Sequence, residues 1–163
     1  MEKKYFSHID QKGQPRMVDV SGKKISRRQA TATAKVFLTE EIIQELTAGK
    51  ELYTKKGAVF QTAVIAGVSA AKKTSELIPL CHLLGLDDCS IIIETISKDE
   101  ILIKCEVAAT AKTGVEMEAM TGASIAALTI YDMCKSFSHD IKILETKLQQ
   151  KSGGERNFNR SEI

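Results

Sequence analysis

The sequence has few aromatic residues. It contains no tryptophan, three tyrosines and five phenylalanines in 163 residues. Proteins that bind single-stranded nucleic acid usually stack bases on aromatic side chains, and the predicted central strand at residues 101–108 (ILIKCEVA) has none. We therefore expect no nucleic-acid partner.

Paired cysteines and long apolar runs are also missing. The four cysteines lie 8, 16 and 29 positions apart, which gives no CxxC motif and no disulfide scaffold. The chain has no run of about eighteen apolar residues, which is the length needed to cross a membrane. The first ten residues also lack the apolar stretch of an export signal. These absences predict a cytoplasmic protein without a membrane partner.

The composition is that of a chain that folds around one core. Hydrophobic residues make up 43% and charged residues 27% of a length near the usual size of one domain. We expect residues 1–163 to form a single domain. The net charge of +2 is too small to attract anions by a general field, so any anion site must be local.

The order of the predicted elements indicates an α+β fold. A strand, a helix, a hairpin, a second helix and a last strand give the β-α-β-β-α-β succession of a ferredoxin-like sandwich. An N-terminal arm, an extra short helix and a flexible C-terminal tail complete the prediction. The expected ranges are the arm 1–28 with an extended piece at 17–20, strand 29–38, the short helix from Thr39 to a closing Gly49, helix 58–78, hairpin strands 89–96 and 101–111, helix 117–136, strand 141–148 and tail 149–163.

Both long predicted helices are rich in alanine and glycine, so the core they can form is modest. Some helix or sheet surface is then left to bury against another copy of the chain. We therefore expect a homo-oligomer.

The segment Leu80, Cys81 and His82 follows Pro79, which ends a predicted helix. A loop at this point can direct a thiol and an imidazole into a cleft. The alternative is that Cys81 packs as a small apolar residue and His82 is only hydrogen-bonded; the residues alone leave both open. Zinc is rejected because adjacent ligands diverge and no second cluster has zinc spacing.

Glu116, Met117 and Glu118 lie at a predicted strand-to-helix junction. In an extended backbone both carboxylates would face one way, and their repulsion would either raise at least one pKa or require cations nearby. The alternative is an ordinary helix start, where acidic residues interact with the helix dipole.

Asp132 and Lys135 are three positions apart on the second long helix. They are either an ordinary surface ion pair or a partly desolvated pair tuned for proton transfer, depending on how close they lie to the apolar face.

Cations suited to phosphate are scattered along the chain. No segment matches a P-loop or a dinucleotide-binding turn, so a phosphate site would have to be assembled from separate segments. Lys151 with the following Ser-Gly-Gly could surround an anion, although a solvated linker is the commoner meaning of that sequence.

Seven stretches together resemble the cyclic pyranopterin monophosphate synthases of molybdenum cofactor biosynthesis, the MoaC family. They follow the family's order over nearly the whole chain. They are residues 7–10 (SHID), 17–21 (MVDVS), 56–57 (KG), 77–82 (LIPLCH), 112–118 (KTGVEME), 126–135 (AALTIYDMCK) and 151–154 (KSGG).

The resemblance implies a lyase that converts 3′,8-cyclo-7,8-dihydroguanosine 5′-triphosphate to cyclic pyranopterin monophosphate and releases pyrophosphate. It implies a hexamer, built as a trimer of dimers, with each active site at a dimer interface. No metal site or resident cofactor is implied, although a divalent ion could accompany the triphosphate. The catalytic residues carried over by motif are Asp132, Lys135 and Lys56, and the substrate-binding ones are Leu80, Cys81, His82, Glu116, Met117, Glu118, Arg28 and Lys151.

The chain departs from the family pattern at three positions. Leu83 follows His82 where the family usually has proline, Ala58 follows Gly57 in place of aspartate, and Glu155 replaces a common lysine. The competing hypothesis is a non-catalytic nucleotide- or pterin-binding oligomer, because its pocket could hold the same cations and carboxylates.

Overall fold

The structure of the chain is a computed structural model that describes residues 8–10, 12–47 and 52–160. Gly49, which we expected to close the short helix, lies outside the described residues, as does most of the arm before His8. The strands are β1 (Ser26–Phe37), β2 (Tyr53–Thr54), β3 (Gly57–Ala58), β4 (Asp88–Thr95), β5 (Glu100–Ala111), β6 (Lys142–Ser152) and β7 (Phe158–Asn159); the helices are α1 (Glu40–Thr47), α2 (Val59–Lys72), α3 (Thr74–Leu77) and α4 (Glu116–Cys134).

The main sheet has the order β4-β5-β1-β6-β7, and all of its pairings are antiparallel. Its four long strands follow one another along the chain as β1, β4, β5 and β6, which gives the ferredoxin-like arrangement with β1 and β5 at the centre. The predicted α+β class and the hairpin between β4 and β5 are confirmed.

The core lies between one face of this sheet and the two long helices. Alternate residues of β1 are buried there because successive side chains of a strand point to opposite faces. α2 and α4 pack closely at Gly67, where a Cβ atom would lie 2.8 Å from the carbonyl oxygen of Gly122. Small residues expected on the inner helix faces are buried, among them Ala63, Ala70, Ala119, Ala123, Ala126 and Ala127.

Several element boundaries differ from the sequence prediction. β1 begins at Ser26 rather than at residue 29, and helix 58–78 is divided between α2 and α3. The extended piece at 17–20 pairs with no strand in the described part of the chain.

The largest difference is at the end of the chain. β6 continues to Ser152 and pairs with β7, so residues 149–152, expected in the tail, belong to the sheet. The pairing of β1 with β6 shifts register twice, between Thr31 and Ala32 and between Lys35 and Val36. A bulge interrupts the alternation of side chains, so a period of two cannot be followed along the whole strand.

Within the residues that the structure describes, none of the helices combines the length and the apolar character needed to cross a bilayer.

Candidate active site

A two-part cleft lies where β5 passes into α4. Two adjoining cavities, of about 240 and 380 Å³, share Lys23, Thr113, Gly114 and Glu116 in their walls. We call the first the anion half and the second the ring half. The two halves adjoin at the link between β5 and α4, which borders both.

The anion half collects cations from distant parts of the chain. Its walls hold five cationic side chains against two carboxylates, which makes the cavity electropositive. β1 supplies Arg28, whose guanidinium donates to the carbonyl oxygens of Ala111 and Lys112, both at 3.3 Å. The five cations are Lys23, Arg28, Lys112, Lys151 and Arg156.

Lys151 projects from β6 into the same cavity. Its ammonium donates to Glu116 Oε1 at 2.8 Å, and Glu116 begins α4. This contact joins the end of the sheet to the first turn of the helix. It brings together two of the residues that the sequence placed in the substrate site.

The Ser-Gly-Gly segment after Lys151 is a turn packed on β1 rather than a solvated linker. Gly153 has φ +84°, and a Cβ atom there would lie 1.8 Å from the Arg27 carbonyl oxygen. Ser26 Oγ also donates to the Gly153 carbonyl oxygen at 2.8 Å. Glycine is required because the chain both adopts a left-handed conformation and approaches a backbone closely.

The ring half is built from the turn after α3 and the first turn of α4. Leu80, Cys81 and His82 of the turn and Met117 and Glu118 of the helix all line this cavity. Burial, with a smaller effect of the Glu118 carboxylate, raises the pKa of the Cys81 thiol. Cys81 is therefore a neutral contact in this cavity and not a thiolate.

Glu118 is the buried carboxyl of the cleft, 5% exposed. Burial raises its pKa above the ordinary 4.5, and repulsion from Glu116 adds to the effect, while His82 opposes it. The repulsion predicted from the sequence assumed an extended backbone; burial is the main cause of the raised pKa, and the alternative of a helix start is confirmed. The extended backbone considered for this segment is wrong, because α4 already begins at Glu116.

A second group of predicted residues lies at the other end of α4. Asp132 accepts from Lys135 at 2.7 Å through Oδ1 and from Lys56 through Oδ2. The hydrogen bonds from Lys135 and Lys56 lower the pKa of Asp132 to about 2, and Asp132 raises the pKa of Lys135. All three side chains are about half exposed, so within one chain this is a surface ion-pair triad and not a desolvated pair.

The two groups are far apart within one chain. Glu118 and Asp132 lie near opposite ends of the 19-residue helix α4, and at about 1.5 Å of rise per residue they are separated by about 20 Å along its axis. The triad borders its own cavity of about 510 Å³, which Tyr53 and Phe137 also line. The structure therefore brings the predicted substrate-binding residues together and leaves the predicted catalytic ones elsewhere.

The site contains residues that the sequence reasoning missed. They are Lys23, Lys112 and Arg156 in the anion half, His8, Val18 and Val20 in the ring half, and Tyr53 and Phe137 beside the triad. Lys112 and the two valines stand inside stretches that carried the family resemblance, which was the available signal. In the described ranges, no group of three or more His, Cys, Asp or Glu residues is arranged to hold a metal ion.

Comparison with known proteins gives consistent matches. Residues 17–154 match the family described as the MoaC family. A cyclic pyranopterin monophosphate synthase from Xanthomonas oryzae pv. oryzae is 48% identical over 94% of this chain and 92% of its own length. A protein of the same name from Listeria monocytogenes is 45% identical over 94% of both chains.

One further relative is longer than this chain. A molybdenum cofactor biosynthesis bifunctional protein from Synechocystis is 48% identical over 97% of this chain, which spans only 46% of that relative. The family match covers most of the chain and includes the triad and all of the cleft residues except His8, Glu155 and Arg156. The chain therefore belongs to the MoaC family.

Proposed function

We propose that the chain converts 3′,8-cyclo-7,8-dihydroguanosine 5′-triphosphate to cyclic pyranopterin monophosphate, with release of pyrophosphate, in molybdenum cofactor biosynthesis. The observation that carries this proposal is that the electropositive anion half adjoins the ring half and shares four wall residues with it. A nucleotide-derived substrate needs both, because its phosphates and its ring system must be held at once. The names of the relatives support the same reaction.

The anion half suits the loss of pyrophosphate. Closing a cyclic monophosphate transfers negative charge to the leaving oxygens, and fixed cations stabilise that charge in the transition state. Arg28 is held in place by two backbone carbonyls and Lys151 by Glu116, so both are oriented before substrate binds. In the proposed reaction these two residues contact the triphosphate.

The ring half suits proton transfer at the nitrogen-containing rings. Glu118 has a raised pKa, so it is better able to deliver or accept a proton near neutral pH than an exposed carboxylate. His82 lies beside it in the same cavity. We assign Glu118 to recognition and protonation of the ring system, with Leu80, Cys81, His82 and Met117 lining the cavity around it.

The triad requires a second copy of the chain to act on the same substrate. Within one chain, Asp132 keeps Lys135 protonated, so Lys135 cannot serve there as the base that the residue types suggested. If a partner covered the triad, burial would oppose this effect and lower the pKa of Lys135. We propose that Lys56, Asp132 and Lys135 of one subunit complete the cleft of its neighbour.

Exposed apolar side chains around the triad support this arrangement. Tyr53 is 70% and Phe137 52% exposed, and both border the triad's cavity. Aromatic side chains of this kind are enriched in subunit interfaces. We propose a homodimer as the catalytic unit and a hexamer, a trimer of such dimers, as the full assembly.

The proposed reaction uses no resident metal or cofactor, and a divalent ion would enter only with the triphosphate. We propose a cytoplasmic setting, which the four free thiols of Cys81, Cys89, Cys105 and Cys134 support, because such thiols persist in reducing compartments.

The test is pyrophosphate release. Purified chain supplied with the cyclised dihydro-GTP should release pyrophosphate and form the cyclic monophosphate in equal amounts. Tight binding without release would instead favour the non-catalytic nucleotide- or pterin-binding oligomer. A matched measurement with GTP should give no release, because the rearranged ring is absent.

A further inference from the structure

The segment before β1 forms one wall of the ring half. We call described residues 8–10 and 12–25 the arm; apart from a bridge between Ile9 and Pro15 it has no regular structure. His8, Val18, Val20 and Lys23 of the arm nevertheless line the cleft. A wall of irregular chain needs specific contacts to stay in place, because it has no ladder of hydrogen bonds.

Two side chains of the cleft hold the arm by its backbone. His82 Nε2 donates to the Val18 carbonyl oxygen at 2.8 Å, and Lys112 Nζ donates to the Ser21 carbonyl oxygen at 2.8 Å. Lys23 of the arm also pairs with Glu155 at 3.2 Å, although both side chains are well exposed. The first two contacts anchor the arm on either side of Val20.

The two valines between these anchors face the cleft. Val18 and Val20 are half-buried, while Met17, Asp19 and Ser21 are exposed. Asp19 instead accepts from the Ser21 amide at 2.8 Å, which stabilises the turn that follows. The alternation gives the arm an apolar inner side, opposite Met117 and Glu118.

We propose that Lys112 and His82 are positioning residues that hold the arm as the outer wall of the ring half, so that Val18 and Val20 contact the ring of the bound nucleotide. This inference rests on the proposed function for the identity of the ligand. The anchoring itself depends only on the contacts given above.

Hydrogen exchange of the unliganded protein tests the anchoring. In Lys112→Ala, the amides of Ser21 and Lys23 should exchange about fivefold faster, as expected for loss of one hydrogen bond. Lys112→Arg should stay near the wild-type rate, because it keeps a donor. Lys98→Ala, which removes an exposed lysine paired with Glu40, is the matched control and should leave the arm unchanged. Unaltered exchange in Lys112→Ala would overturn the anchoring.

Binding of two probes tests the ring contact without requiring turnover. Val18→Ser should weaken binding of GTP about fivefold, because it removes an apolar contact, and should leave binding of pyrophosphate unchanged, because the anion half is intact. Calorimetry gives both dissociation constants. Equal affinity of Val18→Ser and wild type for GTP would overturn the contact.

These outcomes are separable from failure of the proposed function. A wild-type protein that binds GTP but releases no pyrophosphate from the cyclised substrate would refute the reaction, and the exchange and binding results would still decide the role of the arm.

Discussion

The two ends of α4 carry two very different parts of one proposed site. At the N-terminal end, Glu118 is buried in a cleft with walls from β1, β6, the link between β5 and α4, the turn after α3 and the arm. At the C-terminal end, Asp132 lies on an open surface, bonded to two exposed lysines. The comparison teaches that one chain builds a binding cleft at one end of α4 and, about 20 Å along the helix axis, a separate group of exposed amines that we propose to be catalytic.

The pKa values show the same contrast. Burial raises the pKa of Glu118, whereas hydrogen bonds from two lysines lower that of Asp132 to about 2. The first is the signature of a desolvated acid and the second that of an ion pair in contact with water. A partner that covered the triad would remove this difference.

The largest effect on turnover should come from a substitution in the triad at the C-terminal end of α4. Asp132→Asn removes the charge that holds both lysines, so turnover should fall by at least about a hundredfold while folding and assembly are retained. Pyrophosphate release measures turnover, and light scattering after gel filtration measures assembly. Asp140→Asn, an exposed change just beyond α4, should be indistinguishable from wild type. Normal turnover in Asp132→Asn would exclude Asp132 from the mechanism.

The second-largest effect should come from a substitution in the turn at Gly153, which borders the anion half. Gly153→Ala introduces a Cβ atom 1.8 Å from the Arg27 carbonyl oxygen at a residue with φ +84°, and we expect a loss of about 1–3 kcal/mol in the free energy of unfolding. Pyrophosphate affinity should fall as well, because the turn borders the anion half. Gly85→Ala, which has open space around it, is the control in denaturant titrations. Unchanged stability in Gly153→Ala would contradict the turn described here.

A smaller effect is expected on the affinity of the anion half for pyrophosphate when the charge of Glu155 is changed. Glu155 occupies a position where the family often has lysine, and in this chain it pairs with Lys23 in the anion half. Glu155→Lys should tighten pyrophosphate binding about two- to fivefold at low salt, with Glu155→Gln in between, and high salt should reduce both gains. Weaker binding of pyrophosphate by Glu155→Lys would show that Glu155 supports the site instead of opposing it.

The smallest effect is the change in folding stability with pH that comes from Asp132 and Glu118. Asp132 has a lowered pKa, so its stabilising contribution is present above the ordinary 3.8 and is lost as the pH falls towards about 2. Glu118 has a raised pKa, so its ionisation costs stability as the pH rises above 4.5. Carboxyl-carbon NMR titrations should show the two midpoints shifted in opposite directions. Midpoints shifted the same way would contradict the contrast between the two ends.

The sequence predicted the elements whose periodicity is uninterrupted. β1, the β4-β5 hairpin and α4 follow from alternating or helical spacing of apolar residues, and the ferredoxin-like order follows from their succession. The end of β6 was missed because bulges break its alternation. The arm offers no periodicity beyond residues 17–20, so its place over the cleft depends on tertiary contacts.

The sequence allowed individual residues of the candidate site to be predicted, but not how these residues are arranged in space. Local motifs identified Glu118, Asp132 and Lys151, yet which of them meet depends on strand pairing and on the length of α4. The amine of Lys112 was missed as a site residue, because its bond to the Ser21 carbonyl links residues 91 positions apart. Of the two interpretations that the sequence left open for Asp132 and Lys135, the single chain shows the surface ion pair, in which Asp132 raises the pKa of Lys135.

The most direct test of a site shared between two copies is to combine two inactive variants. Asp132→Asn damages the triad and Glu118→Gln the cleft, so in a mixed dimer one site carries both changes and the other carries neither. Co-expression of the two variants should restore pyrophosphate release to about a quarter of the wild-type rate, because half of the randomly formed dimers are mixed and each of these has one intact site. If the co-expressed variants form mixed dimers and release no more pyrophosphate than either variant alone, the triad and the cleft do not meet across a subunit interface.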